Sequence, residues 1–452
     1  MSLAEGQLVE LGIEKAASGG RMIARHHGQI VLVRGAIPGE RVKALVERAE
    51  KRLAYAVTKD VVEASPDRRP AAADPLCGGA LYSHIAYARQ LAIKSDVIRD
   101  AFARVGRYPI DHPVDVAASP EEGYRMRARF HVHGARAGFY REATHQLCDA
   151  AATRQLRPDA FEAVSALAAA LAREWPGGVT SITIAENIAG DQRAAHIELG
   201  SVQGQPPSPL HSFGGQGPAS DPFRRSFAET NLRGLSLRHT NTGEWVELGE
   251  PVVAEPLHAL TNGRVADGVV QRHAESFFQG NRYLLPQLVT AVVDLVPDGG
   301  EVLELYAGVG VFSAALAAMA RLEVTAVEGD RASGADLREN ARAQEPRLKA
   351  HVESVEAFLA KKTKAPASVI VDPPRTGMSA DALAAVARLR SERIVYVSCD
   401  PPTLARDARR LIDAGYALAS LRAFDFFPNT PHVESLALFT RAGGLDERGE
   451  QT

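Results

Sequence analysis

The chain has 452 residues, a net charge of −3 and three cysteines. That length predicts about three domains, each able to bury its own core; the cysteine count excludes a disulfide scaffold, and the near-neutral charge means that any nucleic-acid surface must be local. The start MSLAEGQLVELGIE lacks the basic-then-apolar pattern of a secretory signal, and no apolar run approaches the roughly 18 residues of a membrane helix, so a cytoplasmic protein off the membrane is expected.

From Gln7 to about Pro66, alternating apolar runs (Ile30–Val33, Arg41–Val46) and turns at Gly19–Gly20 and Pro38–Gly39 predict a small β-barrel. Lys43, Arg48, Lys51 and Arg52 are its candidate phosphate contacts. Next, YRMRARFHVHGARAGFY at Tyr124–Tyr140 alternates with period 2, which puts Arg125, Arg127, Arg129, His131 and His133 on one face of a hairpin strand and Met126, Ala128, Phe130 and Val132 on the other. Three arginines in register suit an RNA backbone. The Ala-rich stretch Ala163–Ala172 reads as a packed helix, and Gln203–Pro222, rich in Gly, Pro, Ser and Gln, as a surface loop or linker.

Val302–Ser313, VLELYAGVGVFS, is a strand running into a Gly-containing turn and an Ala-rich helix. Gly308 and Gly310 permit close approach of a ligand, while Glu304 and Tyr306 lie at the strand's carboxyl end, where open α/β sheets bind ligands. About 20 residues on, the strand Val324–Val327 ends in Glu328, a position from which a carboxylate holds ribose hydroxyls. The turn has no Gly-Lys-Ser/Thr, which excludes a P-loop. A further strand, Ser368–Val371, stops at DPPRTGM because Pro cannot continue a ladder, and so projects Asp372 into the crevice.

The segment VSCDPPTLARD at Val397–Asp407 places Cys399 between an apolar strand and a Pro-led helix start. Unpaired N–H groups at a helix N-terminus favour thiolate over thiol, so a lowered thiol pKa is expected; about 1.5 units would be worth roughly 2 kcal/mol of activation. In FPNTPHVES, Glu434 falls inside an apolar run, where a carboxylate is costly without a partner or a task. A thiol and a carboxylate together point to addition to a ring followed by proton removal.

Ser276–Asn281 (SFFQGN), the Gly308/Gly310 turn, Glu328, DPPR-x-G, SC-D-P-x-TLARD and FP-x-T-x-HVE, in this order, resemble the RNA uracil-5 methyltransferases. Arg21-Met-Ile-Ala-Arg25 and the PGE turn resemble the TRAM domain, an OB-like RNA-binding module. The resemblance implies an α/β fold: a Rossmann-like methyltransferase domain (273–452) that uses S-adenosylmethionine, preceded by a TRAM barrel (1–66) and a central α+β RNA-binding domain (67–272). It implies Cys399 as nucleophile, Glu434 as base, and Gln279, Tyr306, Gly308, Glu328 and Asp372 as cofactor positions. Arg125, Arg127 and Arg129 are expected to meet RNA, with ribosomal RNA favoured over transfer RNA, and the protein is expected to be a monomer. The target uridine must leave any stack, which costs least in loops.

Departures from the family pattern carry their own expectations. Relatives with a TRAM domain commonly hold an iron–sulfur cluster on Cys-x5-Cys-Gly-Gly-Cys and a distant fourth cysteine; here AAADPLCGGALYSHI has Ala71 and Ala80 at two of those positions. Cys77 and Cys148 are too few ligands for such a cluster, so neither a cluster nor any metal is expected. Val311, Ser354, Asp400 and Pro402 replace more usual family residues around the crevice. Two rival readings stay open: methylation of an exocyclic amine, which needs no thiol, and a non-catalytic RNA-binding protein that kept the fold.

Overall fold

A computed structural model describes residues 3–175, 177–200, 227–228, 230–319 and 322–441; the linker read at Gln203–Pro222 lies outside them. Five strands, Leu8–Ala16, Met22–His26, Gln29–Arg34, Arg41–Ala49 and Leu53–Glu63, close into a barrel. Alternation decides what fills it: Val9, Leu11 and Ile13 from the first strand and Val42, Ala44 and Val46 from the fourth point inward. At the barrel's edge Gly20 has φ 93°, and a Cβ there would lie 2.8 Å from Cγ of Pro431. The barrel turn is therefore seated on the segment that leads to Glu434.

A seven-stranded mixed sheet follows, built around Arg127–His133, Val179–Glu186 and Arg193–Leu199. The helix Pro158–Glu174 covers one face through Val164, Leu167, Ala168 and Leu171, as the Ala-rich stretch predicts. Glu142 ties this layer to the barrel, accepting from Arg21 at 3.3 Å and Arg34 at 3.2 Å. Cys77 and Cys148 are joined by a disulfide within the same layer, a pairing the sequence reading did not foresee; Cys399 is free. Among the described residues no group of His, Cys, Asp and Glu is arranged to hold a metal ion, and no helix is long and apolar enough to cross a membrane.

The third layer is an eight-stranded sheet. Its order runs Leu348–Val352, Leu322–Glu328, Gly300–Leu305, Ser368–Val371, Arg393–Ser398, Glu434–Arg441, Tyr416–Phe424, Val116–Ala117. The first five strands are parallel; Glu434–Arg441 is antiparallel to both its neighbours. Chain order reverses between Gly300–Leu305 and Ser368–Val371, and ligands bind outside the carboxyl ends at such a switch point.

The packing departs from a linear division into three modules in one respect. Val116–Ala117 adds to the edge of this sheet, and the helix Tyr87–Arg104 packs on the helix Pro401–Asp413, burying Ile98 and Phe102 with Leu404 and Ala405. Helix Tyr87–Arg104 also inserts Lys94, 1 % exposed, against Asp425, 0 % exposed. Removing one partner of such a pair leaves a bare buried charge, so Lys94→Met should cost about 3 to 5 kcal/mol, read from the urea midpoint. A shift of under about 1 kcal/mol would mean that the pair is solvated.

Candidate active site

The strand Arg393–Ser398 pairs antiparallel with Glu434–Arg441, with Val397 opposite Leu436 and Ser398 opposite Ser435. Continuing that register by one residue sets Cys399 opposite Glu434. Directly opposite residues share a face, with Cβ atoms about 4.5 to 5.5 Å apart. The charge of Glu434 is accordingly among the influences on the thiol. The side chain of Gln279, from the loop Ser276–Asn281, bonds both Glu434 and Asp372. Sheet register and this loop thus bring Cys399, Glu434, Asp372 and Gln279 together.

The expected lowering of the thiol pKa is not what this environment produces. Burial pushes Cys399 up to about 12, and the carboxylates of Glu434, Asp372 and Asp400 push the same way; Arg375 opposes them. The physical reason lies in the helix start. Pro401 and Pro402 have no N–H, and the N–H of Thr403 is already taken by Oδ1 of Asp400 at 2.9 Å. The positive end of the helix is spent locally, while the sheet brings in negative charge.

Glu434 is 2 % exposed, its Oε1 has no hydrogen-bond partner, and burial raises its pKa well above the carboxylate range. Asp372 is pushed up to about 7 by burial, with Gln279 opposing and the charge of Glu328 adding to the rise. Glu304, 1 % exposed and bonded by Ser313 Oγ, is pushed up to about 8 by burial. Glu328 accepts the backbone N–H of Gly308 at 2.7 Å and of Asp330 at 2.6 Å. Gly308 and Gly310 take φ of 56° and 85°, and Tyr306 shares the left-handed region at 60°. The turn's backbone, held to Glu328, faces the crevice, whereas the ring of Tyr306 packs on the opposite side of the sheet. Four carboxylates with raised pKa along one line of strand ends form a site short of positive charge. A cationic ligand suits that set of carboxylates.

The three arginines do not form one free ladder. Arg125 precedes the strand, where it donates to Gln155 Oε1 at 2.7 Å and to the carbonyl of Arg127 at 2.9 Å, with its guanidinium over Phe139 and Phe427. It is held by the protein because the chain there bridges to Asn281 rather than entering the sheet. Arg127 donates to the carbonyl of Glu275 at 3.0 Å and lies over Phe277, while the guanidinium of Arg129 is 55 % exposed beside Glu198.

Two residues went unread in the sequence. Arg375 is the cation whose charge reaches Cys399, Glu434 and His432 together; it was visible in DPPR, but its target was not. Phe277, two residues before Gln279, is 62 % exposed at the mouth of the site, an unusual exposure for a large apolar ring.

A family model for tRNA (uracil-5-)-methyltransferase matches residues 358–442, and one for the TRAM domain matches residues 3–58. The chain is 32 % identical to a 23S rRNA (uracil(1939)-C(5))-methyltransferase RlmD of Pseudomonas putida, over 96 % of this chain and 94 % of the relative. It is 33 % identical to the RlmD of Halomonas elongata, over 95 % and 89 %. The fold is that of the Pyrococcus abyssi tRNA (uracil-54, C5)-methyltransferase solved with S-adenosyl-L-homocysteine, with a TM-score of 0.69 and 23 % identity over 95 % of this chain and 99 % of that one.

Proposed function

The chain belongs to the RNA uracil-5 methyltransferase family, and from that premise we propose that it methylates carbon 5 of a uridine in 23S ribosomal RNA through a covalent bond to Cys399. The observation that carries the reading is the register that sets Cys399 opposite Glu434, with Gln279 bonded to the latter. Gln279, the backbone of Tyr306, Gly308, Glu328 and Asp372 would hold S-adenosylmethionine, which would supply an electrophilic methyl group on a sulfonium. The carboxylate-rich crevice suits that cation.

Carbon 5 of uracil is a poor nucleophile. The sulfur of Cys399, its proton lost to solvent, bonds to carbon 6, and the ring's π pair moves onto oxygen 4 as an enolate whose carbon 5 would take the methyl group, the pair of the broken methyl–sulfur bond staying on the departing neutral thioether. In its ionised form, which the charge of Arg375 favours against burial, Glu434 then takes the carbon-5 proton, the freed pair restores the ring double bond, and the carbon–sulfur bond breaks to return the thiolate. Its unpartnered Oε1 has room for that proton. Arg375 offsets negative charge on sulfur and on the carboxylates. A free thiol pushed up to about 12 ionises more as pH rises, so covalent addition should accelerate about tenfold per pH unit above neutrality. A rate flat between about pH 7 and 9 would contradict this electrostatic account.

Asp372 gives the cofactor a pH signature. Its carboxyl, pushed up to about 7, is partly protonated at neutrality, and a bound cation favours the ionised form. Binding therefore releases a proton, and affinity should rise from about pH 6 and level off near pH 8. Calorimetry in buffers of different ionisation enthalpy measures both. An affinity independent of pH would remove Asp372 from the cofactor site.

We assign residues 1–66 and 67–272 to RNA binding, apart from the helix Tyr87–Arg104 and the strand Val116–Ala117 that pack on the α/β sheet, and 273–452 to catalysis, in a cytoplasmic monomer. Arg127, Arg129 and the exposed ring of Phe277 would face the RNA, with Arg125 bracing the loop behind them. The substrate is tested by mapping 5-methyluridine in RNA from cells lacking the gene. One position in 23S ribosomal RNA should lose its methyl group and regain it with the purified enzyme. Loss confined to transfer RNA would overturn the ribosomal reading.

A further inference from the structure

The segment Asp425–Glu434 passes the chain from the strand Tyr416–Phe424 to the strand that begins at Glu434, and Asn429 stands at its midpoint. Asn429 has φ 64°, a left-handed conformation that asparagine tolerates better than most residues. Its backbone N–H donates to Gln90 Oε1 at 2.9 Å, and its carbonyl accepts from the backbone N–H of Tyr82 at 2.8 Å. Its Oδ1 accepts from Gln90 Nε2 and from Arg69 Nη2, each at 2.9 Å. Gln90 and Tyr82 are 0 % and 1 % exposed, so these are buried partners.

The segment's other anchors lie upstream of this point. Asn281 Nδ2 donates to the carbonyl of Phe426 at 3.1 Å, Lys94 to that of Phe427 at 3.3 Å, and Tyr124 Oη to that of Pro428 at 3.4 Å. Downstream, His432 N donates to Thr430 Oγ1 at 3.3 Å, a bond local to the segment, and Pro431 rests under the barrel turn. Thr430 Oγ1 donates to the Phe427 carbonyl at 2.7 Å, Val433 is buried and Glu434 pairs with Phe424, so Asn429 is the tie from outside the sheet that adds to these local ones in setting residues 430–433 before the Glu434 carboxylate.

We propose that Asn429 is a positioning residue for the base: residues 69–90, outside the α/β sheet in sequence, clamp it so that the Glu434 carboxylate stands beside Cys399 within reach of carbon 5. The proposal rests on the reading of Glu434 as the proton acceptor. It sets Asn429 apart from the nucleophile, which is held by a different strand. Loss of the clamp should slow proton removal while leaving sulfur addition and methyl transfer in place.

The test uses the full chain, 23S ribosomal RNA from cells lacking the enzyme, and S-adenosylmethionine with a labelled methyl group. Two quantities are read: turnover, and the methylated protein–RNA complex that survives denaturing electrophoresis. Asn429→Gly keeps the left-handed backbone and deletes Oδ1; Gln90→Ala deletes the partner. Both should lower turnover roughly tenfold while the methylated complex accumulates, as it should in Glu434→Gln. Arg69→Ala, which removes the Asn429 bond together with the surface pairing to Glu121 and the bond to the Ser83 carbonyl, should show the same pattern more weakly, while Glu121→Ala, which leaves the Asn429 bond in place, should not, and this pair keeps the test available if the other variants unfold. Turnover and complex falling together in these variants would overturn the inference, since a merely structural role predicts that. Absence of the complex in Glu434→Gln would instead overturn the assignment of the base.

Discussion

Cys399→Ala is expected to abolish methylation, by on the order of 10⁴-fold or more, with no covalent RNA complex under any condition. The size of the effect follows from the chemistry. Without sulfur on carbon 6 there is no enolate, and carbon 5 has no electron pair to offer. Binding should survive, because the cofactor positions lie on other strands: Glu328 ends Leu322–Glu328 and Asp372 follows Ser368–Val371. Calorimetry with S-adenosylmethionine should therefore give an affinity within about threefold of the wild type, which separates lost chemistry from lost folding. Methylation retained in Cys399→Ala would favour transfer to an exocyclic amine, which needs no thiol. An affinity absent from the wild type itself would favour an RNA-binding protein that does no chemistry.

Glu434→Gln should have a different phenotype of comparable size. The amide cannot take the carbon-5 proton, so turnover should fall roughly 10²- to 10⁴-fold while addition and methyl transfer proceed, and the methylated RNA should remain bound to the protein. The substitution also removes a carboxylate that raises the Cys399 pKa, so the thiol should ionise at lower pH in the variant. Covalent addition at neutral pH should then be no slower than in the wild type. A Glu434→Gln enzyme that turns over normally would place the base elsewhere.

Much of this was legible in the sequence, because the relevant features are local. Alternating apolar runs announced the barrel. Gly308 and Gly310 after an apolar strand, Glu328 about twenty residues on, and a strand halted by Asp-Pro-Pro announced the parallel sheet and its crevice, and the strand–Cys–Asp–Pro–Pro junction singled out Cys399 as the candidate nucleophile. Proximity of Cys399 to Glu434 was not local. It depends on an antiparallel strand inserted beside a parallel one, a pairing that spacing along the chain does not specify.

The same cause explains the thiol pKa. Pro401 and Pro402 lack N–H groups already in the sequence, and Asp400 takes that of Thr403; what Val397–Asp407 in isolation does not show is the carboxylates that the fold brings from two other strands. Arg125 was misjudged similarly, since period-2 alternation holds only within a strand and this one begins at Arg127. The helix Tyr87–Arg104 gave no local sign of its role. Gln90 and Lys94 read as ordinary polar positions, and only the packing of that helix on Pro401–Asp413 turns them toward the segment that leads to Glu434.

The central claim is that sulfur bonds to the ring, and RNA carrying 5-fluorouridine in place of uridine tests it directly. Fluorine cannot leave as a proton, so the enzyme should stop after methyl transfer with the RNA attached. Digestion and mass spectrometry should then find the methylated fluorinated nucleotide on the peptide containing Cys399, and on no peptide of Cys399→Ala. Methylated, fully released RNA with every peptide unmodified would contradict the account.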